Sequence, residues 1–85
     1  MEQYLGHQIV VDVEAQFVYV GKLAEVLDKS LLLTNADVHD LRDSTTTREE
    51  YIREARLHGV QPNRKSVLVR LDKVVSISRL DDVID

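Results

Sequence analysis

Apolar residues fall into two strand-rich blocks, Ile9–Asp37 and Lys65–Ser78, separated by a polar, helix-prone segment. In the run Gln8–Glu14, Ile9, Val11 and Val13 share one face while Gln8, Asp12 and Glu14 share the other. That is the period-two signature of a half-buried strand. Glu14-Ala15-Gln16 turns the chain into a long second strand, Phe17–Val26, rich in β-branched and aromatic residues. Gly21, in its middle, marks a bulge, a bend or a close approach of backbones. Leu27-Asp28-Lys29-Ser30 then leads to a third strand, Leu31–Val38. Residues 1–7 read as a helical turn or an irregular lead-in, with Tyr4 and Leu5 available for packing.

The stretch after the third strand changes period. Asp40–Ser44 is polar and reads as loop. Thr47-x-x-Glu50 then has capping-box spacing, with Thr46-x-x-Glu49 an equally good register, and Gly59 stands where a left-handed C-cap is expected. Pro62 blocks any continuation, so the spacing predicts a helix over 47–58. Its apolar stripe of Tyr51, Ile52 and Ala55 is narrow, which implies packing on one side only. Strand four, Lys65–Leu71, and strand five, Val74–Ser78, flank a turn at Asp72-Lys73. Leu80, Val83 and Ile84 in the tail can dock or pair. The expected organisation is one domain over 1–85: strand block 8–38, helical insert 39–64, strand block 65–78 and tail 79–85. Five short strands with tight connections predict a mainly β, antiparallel small barrel or sandwich.

Composition narrows the function classes. At 85 residues the chain sits near the lower end of what one core stabilises alone. Having no cysteine, it holds neither a disulfide framework nor a thiolate metal site. The longest unbroken apolar run is Phe17–Val20, far short of the roughly 20 residues of a membrane span. No basic segment leads into an apolar stretch at the start, so a soluble, cytoplasmic protein is expected. Net charge is −4 but uneven: residues 1–52 carry −6, residues 53–65 carry +3 and residues 66–85 carry −1. The positive segment holds Arg53, Arg56, Arg64 and Lys65, either a solvated helix end or a basic surface for phosphates.

Two short motifs carry a family resemblance. Tyr19-x-Gly21-x-Leu23 before the turn Asp28-Lys29-Ser30, and Val69-Arg70 with Val74 after it, resemble the two motifs of the Sm-like family. That resemblance implies a five-stranded, strongly bent barrel, with Gly21 at the bend of strand two, and the capped segment 47–58 places a helix between its strands three and four. It also implies a ring closed by pairing strand four of one subunit with strand five of the next. Val67, Val69, Val74 and Ile77 are the expected interface residues, in a ring of five to seven subunits. The implied ligand is single-stranded RNA, held by Asp28, Lys29, Ser30, Arg70 and Leu71 around the pore. Two positions depart from the pattern: Ser30 stands nearest the place of the usual turn Asn, and Leu71 replaces the Gly of Arg-Gly, which is expected to narrow the pocket. No aromatic or His lies between Leu27 and Ser30 to stack on a base.

Arg70 has two readings, a nucleotide contact or a strand-end partner for Asp28 or Asp72. Asp37, His39, Asp40 and Asp43 form either a cation cluster or a charged loop. Tyr51 either stacks on a base or packs its helix onto the barrel. Nucleophile elbow, glycine-rich phosphate loop and paired His-carboxylate motif are all missing from the sequence, so no enzyme, cofactor or small-molecule substrate is expected. Two functions compete: an RNA-binding homo-oligomeric ring, or a ring that lost the RNA pocket and serves as a protein-interaction scaffold.

Overall fold

The computed structural model describes residues 1–43 and 45–84. Five strands, β1 (Gln8–Val13), β2 (Phe17–Val26), β3 (Ser30–Asp40), β4 (Arg64–Arg70) and β5 (Val74–Arg79), form one antiparallel sheet in the order β4-β3-β2-β1-β5. One α-helix, α1 (Arg48–His58), lies between β3 and β4. The expected five-stranded architecture and the place of the helix are both observed. Strand three runs two residues past its expected end, to Asp40, and the described residues that follow form a 3-10 turn at Leu41–Asp43.

The sheet bends because β2 and β3 pair with two irregularities. Val20 faces Asp37 and Lys22 faces Thr34, so β3 carries one extra residue opposite Gly21. Asn35 absorbs it with a left-handed φ of 47°, a conformation that Asn tolerates better than most residues. Further along, β2 carries the extra residue, Ala24, between the pairs Leu23–Leu33 and Glu25–Leu32. Gly21 is required by proximity rather than by torsion. A Cβ there would lie 2.8 Å from the Ala36 Cβ and 3.2 Å from the Thr34 carbonyl oxygen.

The bent sheet encloses an interior core built on Ile9, Val11, Leu23, Leu31, Leu33 and Val69. The predicted alternation in β1 fails at Val10, which is buried like both its neighbours. Its face of the sheet is covered as well: Val10, Val18 and Val20 pack against Ile52 and Ala55 of α1 and against Leu80 of the tail. This second core uses the whole narrow stripe of the helix, with half-buried Tyr51 at its margin. Of the tail residues expected to dock, Leu80 is buried and Val83 packs beside it, while Ile84 is exposed.

Several polar contacts fasten α1. The Thr47 hydroxyl accepts from the Glu50 N–H at 3.1 Å, the N-cap that the sequence announces. The Gly59 N–H closes the other end on the Ala55 carbonyl at 3.0 Å, but with φ 89° and ψ 157° Gly59 departs from the expected left-handed helical cap. Arg48 donates to one Asp12 oxygen at 3.0 Å and the Ser76 hydroxyl donates to the other at 2.9 Å, so Asp12 ties the helix to β1 and β5. Beyond Ala36, β3 outruns β4, and there the Asn63 amide substitutes for a strand. It accepts from the Val38 N–H at 2.9 Å and donates to the Val38 carbonyl at 3.1 Å.

Tyr51 supplies the remaining fastening. Its ring stacks on His39 with centroids 3.8 Å apart, and its hydroxyl donates to Asp37. Of the two sequence readings of Tyr51, packing is the one observed. Burial, then the hydrogen bond and negative charge of Asp37, push the phenol well above its ordinary value of 10.0. The unfolded chain releases this proton near that value while the folded protein keeps it. The contact therefore stabilises fully below about pH 10 and progressively less above it. Thermal unfolding followed from about pH 8 to about pH 11 is expected to show a steeper loss above pH 10 in the wild type than in Tyr51→Phe. Parallel curves would contradict this role.

Candidate functional site

Pairing of β3 with β4 sets Ser30 opposite Arg70. It therefore brings the β2–β3 turn beside the 3-10 turn Leu71–Lys73 that follows β4. The Leu27 N–H donates to the Ser30 carbonyl at 2.9 Å, closing a tight turn over Asp28 and Lys29. The Leu71 N–H donates to the Lys29 carbonyl at 3.0 Å and locks the two turns together. Asp28, Lys29, Ser30, Arg70 and Leu71 all line one open cleft of about 620 Å³. The sequence argument brought together the same five residues from segments about forty positions apart.

Two lining residues were missed, Leu68 and Asp72. Leu68 follows from strand alternation: its neighbours Val67 and Val69 pack inward, so it faces out. Asp72 matters more, because Arg70 Nη2 donates to its Oδ2 at 2.7 Å. Of the possible partners, Arg70 takes Asp72 rather than Asp28. Two carboxylates, Asp28 and Asp72, thus balance Lys29 and Arg70 in the cleft. Leu71 packs towards the interior core, so only part of its bulk faces the opening.

A second, more apolar cleft of about 420 Å³ opens beside the first, sharing Leu68 and Arg70 and bounded by Val13, Phe17, Tyr19 and Val69. It lies along β4, whose outer edge pairs with no other described strand, as is also true of β5. Val67, Val69, Val74 and Ile77, the residues expected at an interface, turn their side chains into the interior core. Outward along these edges stand Leu68, 58% exposed, and Val75, 66% exposed.

Three of the four basic residues in the segment Arg53–Lys65 line two different depressions. Arg53 sits on α1 in a depression shared with Glu50, Glu54 and Leu57, while Arg56 is exposed further along the helix. Arg64 and Lys65 line a different depression of about 240 Å³ with Asn35, Pro62 and Asn63. The acidic cluster is likewise dispersed into separate contacts. Asp37 accepts from Tyr51, His39 stacks on that ring, and Asp40 accepts a fork of hydrogen bonds from Arg42 at 3.0 and 2.9 Å. Those bonds from Arg42 hold the Asp40 carboxyl below its usual range. Among the described residues no group of three or more His, Cys, Asp or Glu could hold a metal ion.

Neither a protein-family model nor a curated protein matches this sequence. Among solved structures, the chain is similar to the Pyrococcus abyssii Sm protein in complex with a uridine heptamer. The TM-score is 0.62 at 18% identity, covering 92% of this chain and 89% of that one. The chain has an Sm-like fold.

Proposed function

We propose that this protein is a ring-forming, non-catalytic binder of single-stranded RNA, with the cleft between the β2–β3 turn and the turn after β4 as its site. The observation that carries the reading is the meeting of Asp28, Lys29, Ser30 and Arg70 in one open cleft on an Sm-like fold. The solved structure with that fold holds a uridine heptamer, which makes a short oligouridine the first probe. Ring closure is supported by two unpaired strand edges carrying exposed Leu68 and Val75, groups that soluble monomers avoid presenting on open edges. A β4–β5 pairing repeated head-to-tail ends only when the rotation closes, which gives a cyclic homo-oligomer. Main-chain groups would make that pairing, with Leu68 and Val75 covering it. In such a ring the cleft recurs once per subunit.

A second reading, a ring that serves as a protein-interaction scaffold, draws on the balanced charge of the cleft and the absence of a stacking ring from its turn. Binding of a short oligouridine across a salt series separates the two. Arg70→Ala is expected to lower affinity about tenfold, the loss of one charge-assisted contact. Arg56→Ala with Arg64→Ala is expected to weaken binding less and to flatten the salt dependence, because those side chains meet phosphates alone. If neither variant changes affinity in a ring that stays assembled, the scaffold reading replaces the RNA reading.

A further inference from the structure

One carboxylate contacts both the inserted helix and the strand at the open edge of the sheet. β1 and β5 pair Asp12 with Ser76 and Val13 with Val74, so Val75 is an extra residue on β5. Beyond it the ladder resumes, with the Glu14 N–H donating to the Lys73 carbonyl at 2.9 Å. This bulge sets the phase of the strand. Val74 and Ile77 both pack against the interior core, three positions apart, which strict alternation forbids. If β5 ran on from Val74 without the bulge, Ser76 would turn inward and Ile77 outward. Such a slip also exchanges which N–H and C=O groups point to the free edge. Asp12 opposes it. Its Oδ2 accepts from the Ser76 hydroxyl at 2.9 Å, on the outer face that Asp12 shares with Val10. Its Oδ1 accepts from Arg48 Nη1 at 3.0 Å, and Arg48 is the first residue of α1. Both side chains of that ion pair are partly shielded from water, Asp12 at 21% exposure and Arg48 at 35%. The outer edge of β5 pairs with no other described strand, and Val75 stands on it, 66% exposed.

We infer that Asp12 is a positioning residue for self-assembly: by holding Ser76 outward it fixes the β5 bulge, and with it the edge that a second copy of this chain pairs with. Arg48 extends the hold to α1, so the inserted helix and the free edge are coupled through a single side chain. This rests on the ring-forming part of the function proposed above and adds to it the contact within each subunit that sets the junction. Without the Asp12 bonds β5 samples the slipped phase, and a smaller fraction of subunits presents the edge that pairs. The apparent affinity of the junction falls by that fraction.

The test follows the mass of the full chain against its concentration by light scattering, at a temperature where circular dichroism shows each variant folded. Asp12→Ala is expected to raise the half-assembly concentration about tenfold, the loss of a charge-assisted hydrogen bond. Asp12→Asn should recover most of this, because its amide can still accept from Arg48 and donate to Ser76. Ser76→Ala removes only an exposed hydroxyl and is expected to raise the concentration about fivefold, which decides the matter if Asp12→Ala does not fold. Tyr51→Phe loosens α1 at its bond to Asp37 and leaves Asp12 untouched, so it is the control for general loss of stability and should change nothing. An unchanged half-assembly concentration in Asp12→Ala and Ser76→Ala, no recovery in Asp12→Asn, or an equal rise in Tyr51→Phe overturns the inference while ring formation stands. A wild type that is monomeric at every concentration overturns the ring reading and the inference with it.

Discussion

Gly21→Val is expected to destabilise the protein by about 3 kcal/mol, at the upper end of overpacking penalties. Its first added carbon would meet the Ala36 Cβ at 2.8 Å and the Ala36 Cα at 3.0 Å, two atoms fixed in the neighbouring strand. Neither can swing aside as the end of a long side chain would. Relief would require β3 to move away at the bulge that bends the sheet, and both Ala36 and Gly21 are fully buried there. For a domain of this size such a loss lowers the melting temperature by roughly 15 °C. Lys22→Val, at the exposed neighbouring position, is the control and should stay within about 0.5 kcal/mol. Urea unfolding reads both, and an unchanged midpoint for Gly21→Val would show that the two strands are not held so closely.

The other large effect falls on assembly. Leu68→Lys together with Val75→Lys is expected to give a folded monomer. Both side chains are more than half exposed in the isolated chain, so lysine costs its fold little. In a β4–β5 junction the same positions would be covered, and a lysine on a strand edge is a device that opposes pairing. Burying one large apolar side chain contributes roughly 1.5–3 kcal/mol, so each junction should weaken by at least about tenfold per substitution. Multi-angle light scattering at micromolar concentration reads the mass, and circular dichroism confirms that the sheet persists. A variant that keeps the wild-type mass would place the interface elsewhere.

Much of the fold is legible in the chain because its local signals agree with one another. Phe17–Val26 is strand at both ends as predicted, and Thr47 and Gly59 bracket the helix within one residue. Local pattern could not show that both faces of β1 are buried. Val10 reads as one more residue in an apolar run, and only the return of α1 and Leu80 over the outer face explains it. The four valine and isoleucine positions assigned to an interface also pack against the interior core, Val69 buried and the other three partly buried. Alternation says that successive side chains face opposite ways, not which way is inward when a bulge intervenes, as one does between Asp12 and Val13. The cleft residues were found through two short motifs. The sequence names Asp72 only as one of two possible partners of Arg70, and the choice between it and Asp28 rests on a distance that sequence does not carry.

Native mass spectrometry of the full chain with a short oligouridine tests ring formation and RNA binding together. The predicted spectrum contains one closed oligomer of five to seven copies, free and with a single RNA bound, and the bound fraction falls with Arg70→Ala in line with a roughly tenfold weaker affinity. A monomer, or a ring that never carries RNA at micromolar concentrations of both, would contradict it.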